Sequence, residues 1–165
     1  MGGKEMKIKV YHGGIEKIEK PRVDVGRPYL DFGRGFYITD MRQQAVDWAK
    51  RVGDRQNAAP VLNTYILDRD AVIENFKCKI FSEYNGEWLD FIVDSRNGKK
   101  PWAKYDYIEG GVANDRVIDT ISLYMADLMT REKAIEKLSE HRPNNQMCLL
   151  NQRIIDQYLI FDGTE

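Results

Sequence analysis

The chain has 165 residues, of which 25 are basic and 26 acidic, for a net charge of −1. That length suits one domain burying roughly 70% of its unfolded surface, and the balanced charge excludes bulk attraction to nucleic acid or to an anionic membrane. No apolar run approaches the ~20 residues of a membrane-spanning helix, the first residues lack a signal-peptide core, and two cysteines with two histidines give no repeated metal-ligand spacing. The composition therefore reads as a soluble, cytoplasmic protein without a metal or membrane partner, with Cys78 and Cys148 reduced and buried.

Residues 7–12 alternate polar and apolar with period two and predict a strand ending at Gly13-Gly14. A loop rich in glycine, proline and charge follows over 15–34, then a brief strand over 35–39. Asp40 is placed to cap a helix from 41 to about 52, with Ala45, Trp48 and Ala49 on one face. Residues 61–67 alternate as a second strand, 71–81 are apolar enough for another extended piece, and 87–93 predict a short helix broken by Asn97-Gly98. A strand over 105–110 closes on Gly110-Gly111. Asn114 or Asp115 can cap the next helix, whose apolar residues Val117, Ile118, Ile121, Met125 and Leu128 keep helical spacing. Thr130 starts a further helix to about 140, which Pro143-Asn144-Asn145 stops. Residues 146–150 and 157–161 predict the last strands. Strands and helices mix without regular βαβ alternation, so the fold class is α+β.

The stretch Phe32-Gly33-Arg34-Gly35-Phe36-Tyr37-Ile38-Thr39-Asp40 carries the most chemical information. Two glycines without Cβ atoms let a backbone turn tightly or touch a ligand, and Tyr37 adds a flat ring beside them. Such a pattern serves either a site for a flat heteroaromatic molecule or a glycine turn with its aromatics in the core. His12 ends a strand beside Gly13, whose unobstructed peptide can pair with a carboxamide through donor and acceptor together. The alternative for His12 is a half-buried side chain making one hydrogen bond.

Tyr11-His12-Gly13-Gly14 followed by that glycine stretch resembles the first two motifs of the ADP-ribosyltransferase superfamily, in the branch of diphtheria toxin and the poly(ADP-ribose) polymerases. Trp48, eleven residues beyond Tyr37, stands where that branch has a second stacking aromatic. Asn144-Asn145-Gln146-Met147-Cys148-Leu149-Leu150 resembles its third motif, with Gln146 in the position of the usual catalytic glutamate. The chain is also similar to a smaller group of uncharacterised bacterial proteins that share these motifs and look like toxin or effector domains of conflict systems.

The resemblance implies a single ADP-ribosyltransferase-like domain of two packed, mainly antiparallel sheets with flanking helices. It implies a His12, Tyr37, Gln146 triad, with NAD as co-substrate and no metal. His12 contacts the adenine-side ribose, the Gly13 backbone clamps the nicotinamide carboxamide, Tyr37 and Trp48 sandwich its ring, and Gln146 contacts the nicotinamide-side ribose. Arg27, Gly33, Arg34, Gly35 and Thr39 complete the NAD site, the arginines facing the pyrophosphate or else standing as solvated loop charges. A neutral Gln146 cannot act as a general base. The resemblance therefore points to a nucleophilic acceptor, or to help from Asp31, Asp40, Glu109 or Asp115. Ala45, where the polymerases carry a serine, removes one carboxamide hydrogen bond. The implied function is (mono-)ADP-ribosylation of a macromolecule, with an antitoxin or immunity protein as a partner. The alternatives are an NAD- or ADP-ribose-binding module that transfers nothing, and an interaction domain without an NAD site. Lys99, Lys100 and Lys104 around Trp102 and Tyr105 are open to two readings, single-stranded nucleic acid binding or a solvated loop.

Overall fold

A computed structural model describes residues 7–26 and 30–165, with Asp115 and Arg116 as backbone only. Strand β1 (Lys7–Gly14) follows its alternation: Lys7 and Lys9 face solvent while Val10 is fully buried. It pairs antiparallel with β3 (Val61–Asp68), setting Val10 opposite Tyr65 and His12 opposite Asn63. β3 is the centre of this first sheet, and its far edge takes β7 (Leu159–Thr164), also antiparallel. Being central, β3 buries four consecutive residues from Leu62 to Tyr65.

The second sheet has the order β2 (Phe36–Ile38), β6 (Asn145–Leu149), β5 (Tyr107–Gly111), β4 (Cys78–Ile80). Only β4 and β5 run parallel. The architecture is thus α+β with two mainly antiparallel sheets, as expected. Helix α1 (Arg42–Gln56) lies on β1 through the small residues Ala45 and Ala49, four apart, which allow close approach. Gly53, one turn on, packs against Ala58 and Pro60, and Trp48, expected on the Ala45–Ala49 face, is exposed. Helices α3 (Gly86–Arg96), α4 (Asp115–Met125) and α5 (Arg131–Leu138) cover one face of the second sheet, and a 3-10 turn, Pro101–Lys104, follows α3.

Two cores result, one on each face of the second sheet. Phe32, Phe81, Trp88, Ile108 and Cys148 fill the one beneath those helices. Val10, Phe36, Tyr65, Tyr107 and Leu149 fill the other, toward the first sheet. Both cysteines are free; burial pushes the Cys78 thiol up to about 11 and that of Cys148 up to about 12, so both stay protonated packing groups.

Several local expectations change; α4 ends at Met125, so Leu128 lies beyond it and is exposed. Residues 71–81 are not one extended piece. Asp68 accepts a bond from the Ala71 N–H and starts a helix, α2 (Arg69–Asn75), before β4. Asn151 likewise caps a seven-residue helix, α6 (Gln152–Tyr158), ahead of the last strand, which begins later than expected. At α1 the Asp40 carboxyl does not cap; Thr39 Oγ1 accepts from the Met41 N–H instead. Thr130 caps α5 as expected, accepting from the Lys133 N–H. Among the described residues no helix is long and apolar enough to cross a membrane.

Candidate functional site

The three sequence motifs come to lie on three neighbouring strands. β1 carries His12 and Gly13, β2 carries Tyr37, and β6 carries Gln146. β2 and β6 form a regular antiparallel pair with Tyr37 opposite Cys148. β1 and β2 touch through a single bridge, in which Tyr11 and Thr39 exchange both backbone bonds at 2.8 and 3.0 Å. Beyond that bridge the two sheets separate. In antiparallel pairing every second residue directs its N–H and C=O to the same side. Gly13 and Tyr37, each two positions along, therefore aim theirs into the opening gap, where no bridge joins them.

His12 occupies the start of that gap. Its Nδ1 lies 2.7 Å from the Tyr37 carbonyl oxygen, and its ring stacks on Phe36 at 4.5 Å between centroids. A carbonyl can only accept, so Nδ1 carries the proton. Burial lowers the pKa of His12, against a smaller opposing pull from the same carbonyl, and the imidazole is therefore neutral near pH 7. The tautomer then leaves Nε2 as a lone-pair acceptor beside Gly14, whose missing Cβ would lie 3.8 Å from it. Such an acceptor suits a hydroxyl donor.

Gly13 is fixed by packing. A Cβ there would stand 2.1 Å from the Ala45 carbonyl oxygen and 2.9 Å from the Ala49 nitrogen, so only glycine lets α1 sit on β1. The glycines of the second motif are likewise occupied by the protein itself. Gly33 has φ of 90° and lies under Trp102, whose ring would be 2.5 Å from a Cβ; Gly35 lies against Leu149 and Cys148 of β6. Tyr37 donates its hydroxyl to the Gly33 carbonyl at 2.6 Å and accepts from the Phe32 N–H at 3.2 Å. Burial raises the pKa of that hydroxyl far above its ordinary value. It is a donor that holds the glycine turn onto β2, and the half-buried ring packs on the helix-covered core.

Gln146 shares the Tyr37 face of the sheet, because it lies two residues from Cys148. It is partly exposed, and its Nε2 makes one long bond to the Gly111 carbonyl at 3.4 Å. The neighbouring Asn145 carbonyl points past the end of β2 and accepts from Thr39 Oγ1 at 2.6 Å and from Gln44 Nε2 at 2.9 Å. Trp48 is 46% exposed on α1, with the Arg55 guanidinium 5.8 Å from its ring centre. No ring contact joins it to Tyr37 in this structure.

The remaining sequence candidates separate. Arg34 is exposed, and Arg27 and the Asp115 side chain lie outside the described residues. Asp31 is bound by Arg96 at 3.2 and 3.3 Å. Glu109 is buried, held bidentately by Arg69 at 2.8 and 2.9 Å, and receives the Tyr107 hydroxyl. Asp40 is exposed and accepts a 3.4 Å bond from Asn145 Nδ2. A cavity of about 190 Å³ opens beside these groups, lined by Asp40, Arg69, Glu109, Asn145 and Met147. It contains none of His12, Tyr37, Trp48 or Gln146. Its Arg69–Glu109 ion pair is satisfied within the protein, and Asp40 and Asp70 also line it. Among the described residues no three metal-ligating side chains cluster. Sequence reading missed Gln44, the cover of Trp102 over Gly33, and the Arg69–Glu109–Tyr107 network; all three depend on contacts between distant segments and leave no local pattern.

The fold is α+β, with two mainly antiparallel sheets that meet at one bridge between β1 and β2. The chain belongs to the family described as protein of unknown function (DUF3990), whose model matches residues 8–161. No curated protein matches significantly, and no solved structure does.

Proposed function

We propose that this protein is an NAD-dependent mono-ADP-ribosyltransferase acting on a macromolecular acceptor, as a toxin or effector of a microbial conflict system. One observation carries the reading. His12, Tyr37 and Gln146 are far apart in sequence, yet their strands are neighbours in the order β1, β2, β6, with the gap on one side of β2 and β6 paired on the other. The groups at the gap fit NAD chemically. Nε2 of neutral His12 is an acceptor for a ribose hydroxyl. The Gly13 peptide turns a donor and an acceptor toward the gap, the complement of a carboxamide.

Breaking the nicotinamide–ribose bond builds positive charge at the anomeric carbon, and the protein's task is to hold the ribose and stabilise that charge. Gln146 orients a ribose hydroxyl through its amide but supplies no full charge. Of the candidate carboxylates whose side chains are described, Asp31 and Glu109 are paired with arginines, whereas Asp40 is exposed and no described cation pairs with it. Asp40 is therefore the candidate to assist acceptor deprotonation. In a conflict system an antitoxin or immunity protein would complete the partnership.

A second reading, an NAD- or ADP-ribose-binding module without transfer, draws on the neutral Gln146 and on the Tyr37 hydroxyl being spent on Gly33. Labelled NAD incubated with protein and lysate separates the two. Transfer of label that is lost in Gln146→Ala and His12→Ala supports the enzyme. Binding of NAD with neither transfer nor hydrolysis favours the module, and absence of NAD binding refutes both.

A further inference from the structure

We propose that Gln44 is a ligand-contacting residue of this site, accepting a hydrogen bond from the nicotinamide-riboside half of NAD; this rests on the function proposed above. Its Oε1 is the one buried side-chain oxygen or nitrogen without a hydrogen-bond partner among the described residues. Buried polar atoms are nearly always paired, so an orphan calls for a physical reason. An amide flip does not remove it. The Asn145 carbonyl 2.9 Å away can only accept, so the NH2 must face it and Oε1 must face the other way.

The position of this amide gives the orphan its meaning. Gln44 lies in the first turn of α1, directly before Ala45, whose carbonyl meets Gly13. It bonds the Asn145 carbonyl, the peptide that leads into Gln146. β2 has ended by then, so this stretch of the β6 edge is closed by Thr39 and Gln44 side chains rather than by a strand. Gln44 thus adjoins in sequence the residue packed on Gly13 and is bonded to the peptide that leads into Gln146, which brings a second neutral amide beside the site. Gln43 next to it is a contrast: it is exposed and spends its amide on Asp47 at 2.8 Å.

The experiment compares wild type, Gln44→Met and Gln43→Met in the full chain. Each is titrated calorimetrically with NAD, nicotinamide and ADP-ribose, with thermal melting as the folding control. Methionine keeps the length and removes the orphan together with the bond to the Asn145 carbonyl, which Thr39 Oγ1 still satisfies, so Gln44→Met melts within a few degrees of wild type while its Kd for NAD weakens about fivefold to tenfold, the loss of one neutral hydrogen bond. Weakening with nicotinamide identifies the carboxamide N–H as donor, and weakening with ADP-ribose identifies a ribose hydroxyl. Gln43→Met leaves all three unchanged. Equal NAD affinity in wild type and Gln44→Met overturns the inference and leaves the proposed function standing. No NAD binding by wild type overturns both. Should Gln44→Met not fold, the side-chain amide resonance of Gln44 is followed in wild type instead; no shift at saturating NAD is likewise a refutation.

Discussion

Tyr37→Phe tests whether the tyrosine hydroxyl belongs to the fold or to the ligand. The hydroxyl bridges two buried backbone groups, donating to the Gly33 carbonyl at 2.6 Å and accepting from the Phe32 N–H at 3.2 Å. Phe32 and Gly33 are both buried, so water cannot replace either bond without opening the turn. Each bond contributes about 0.5–1.5 kcal/mol net, and an orphaned buried group costs about 1–3 kcal/mol. The expected total loss is about 2–3 kcal/mol. For a chain of this length each kcal/mol lowers Tm by about 2–4 °C, which gives a fall of roughly 5–10 °C by calorimetry. The phenyl ring remains where the phenol was, so NAD binding measured well below Tm stays within about twofold of wild type. An unchanged Tm together with a tenfold or larger loss of NAD affinity or transfer would refute this reasoning, because the hydroxyl would then be acting on the ligand.

Two further outcomes follow from the same gap. Gly13→Ala drives a methyl into the Ala45 and Ala49 backbone, costing about 3 kcal/mol or more and leaving little folded protein. Gly14→Ala meets nothing nearer than 3.8 Å, so it folds within about 0.5 kcal/mol of wild type, yet weakens NAD by crowding His12 Nε2; tight NAD binding in Gly14→Ala would argue against that acceptor. His12 also gives stability a pH dependence. Its folded pKa lies below the ordinary 6.5, so the unfolded chain takes up protons first. Its stabilising contribution is complete above about pH 6.5 and is lost as the pH falls toward the folded pKa, at no more than about 1.4 kcal/mol per pH unit. Tm measured from pH 7 to pH 5 therefore falls more steeply in wild type than in His12→Asn, which retains a donor to the Tyr37 carbonyl without a titrating ring. Parallel curves would exclude His12 as the cause.

The parts of the fold legible in sequence are those written by local rules. The alternation over β1, the buried Ala45 and Ala49 of α1 and the Thr130 cap of α5 each appear where the pattern puts them. What escaped are the short helices. α2 and α6 have seven residues each and depend on Asp68 and Asn151 side chains capping apolar stretches that also suit a strand. With so few residues the period does not decide, and tertiary packing does.

The same distinction runs through the site. Gly33 and Gly35 were legible as backbone positions intolerant of a side chain, but not what presses on them. Trp102 and β6 do so, and both are distant in sequence. Glycine demand alone therefore cannot separate a surface kept clear for a ligand from one already filled by the protein. The discriminating signal is an unfilled valence. By that standard the second motif serves mainly as scaffold, anchoring Tyr37 so that its carbonyl can fix the His12 tautomer. Among the described residues, groups with capacity left over include His12 Nε2, Gln44 Oε1 and the gap-facing N–H and C=O of Gly13. These groups belong to β1 and to the first turn of α1, so the proposed chemistry is to be tested where β1 and β2 stop pairing.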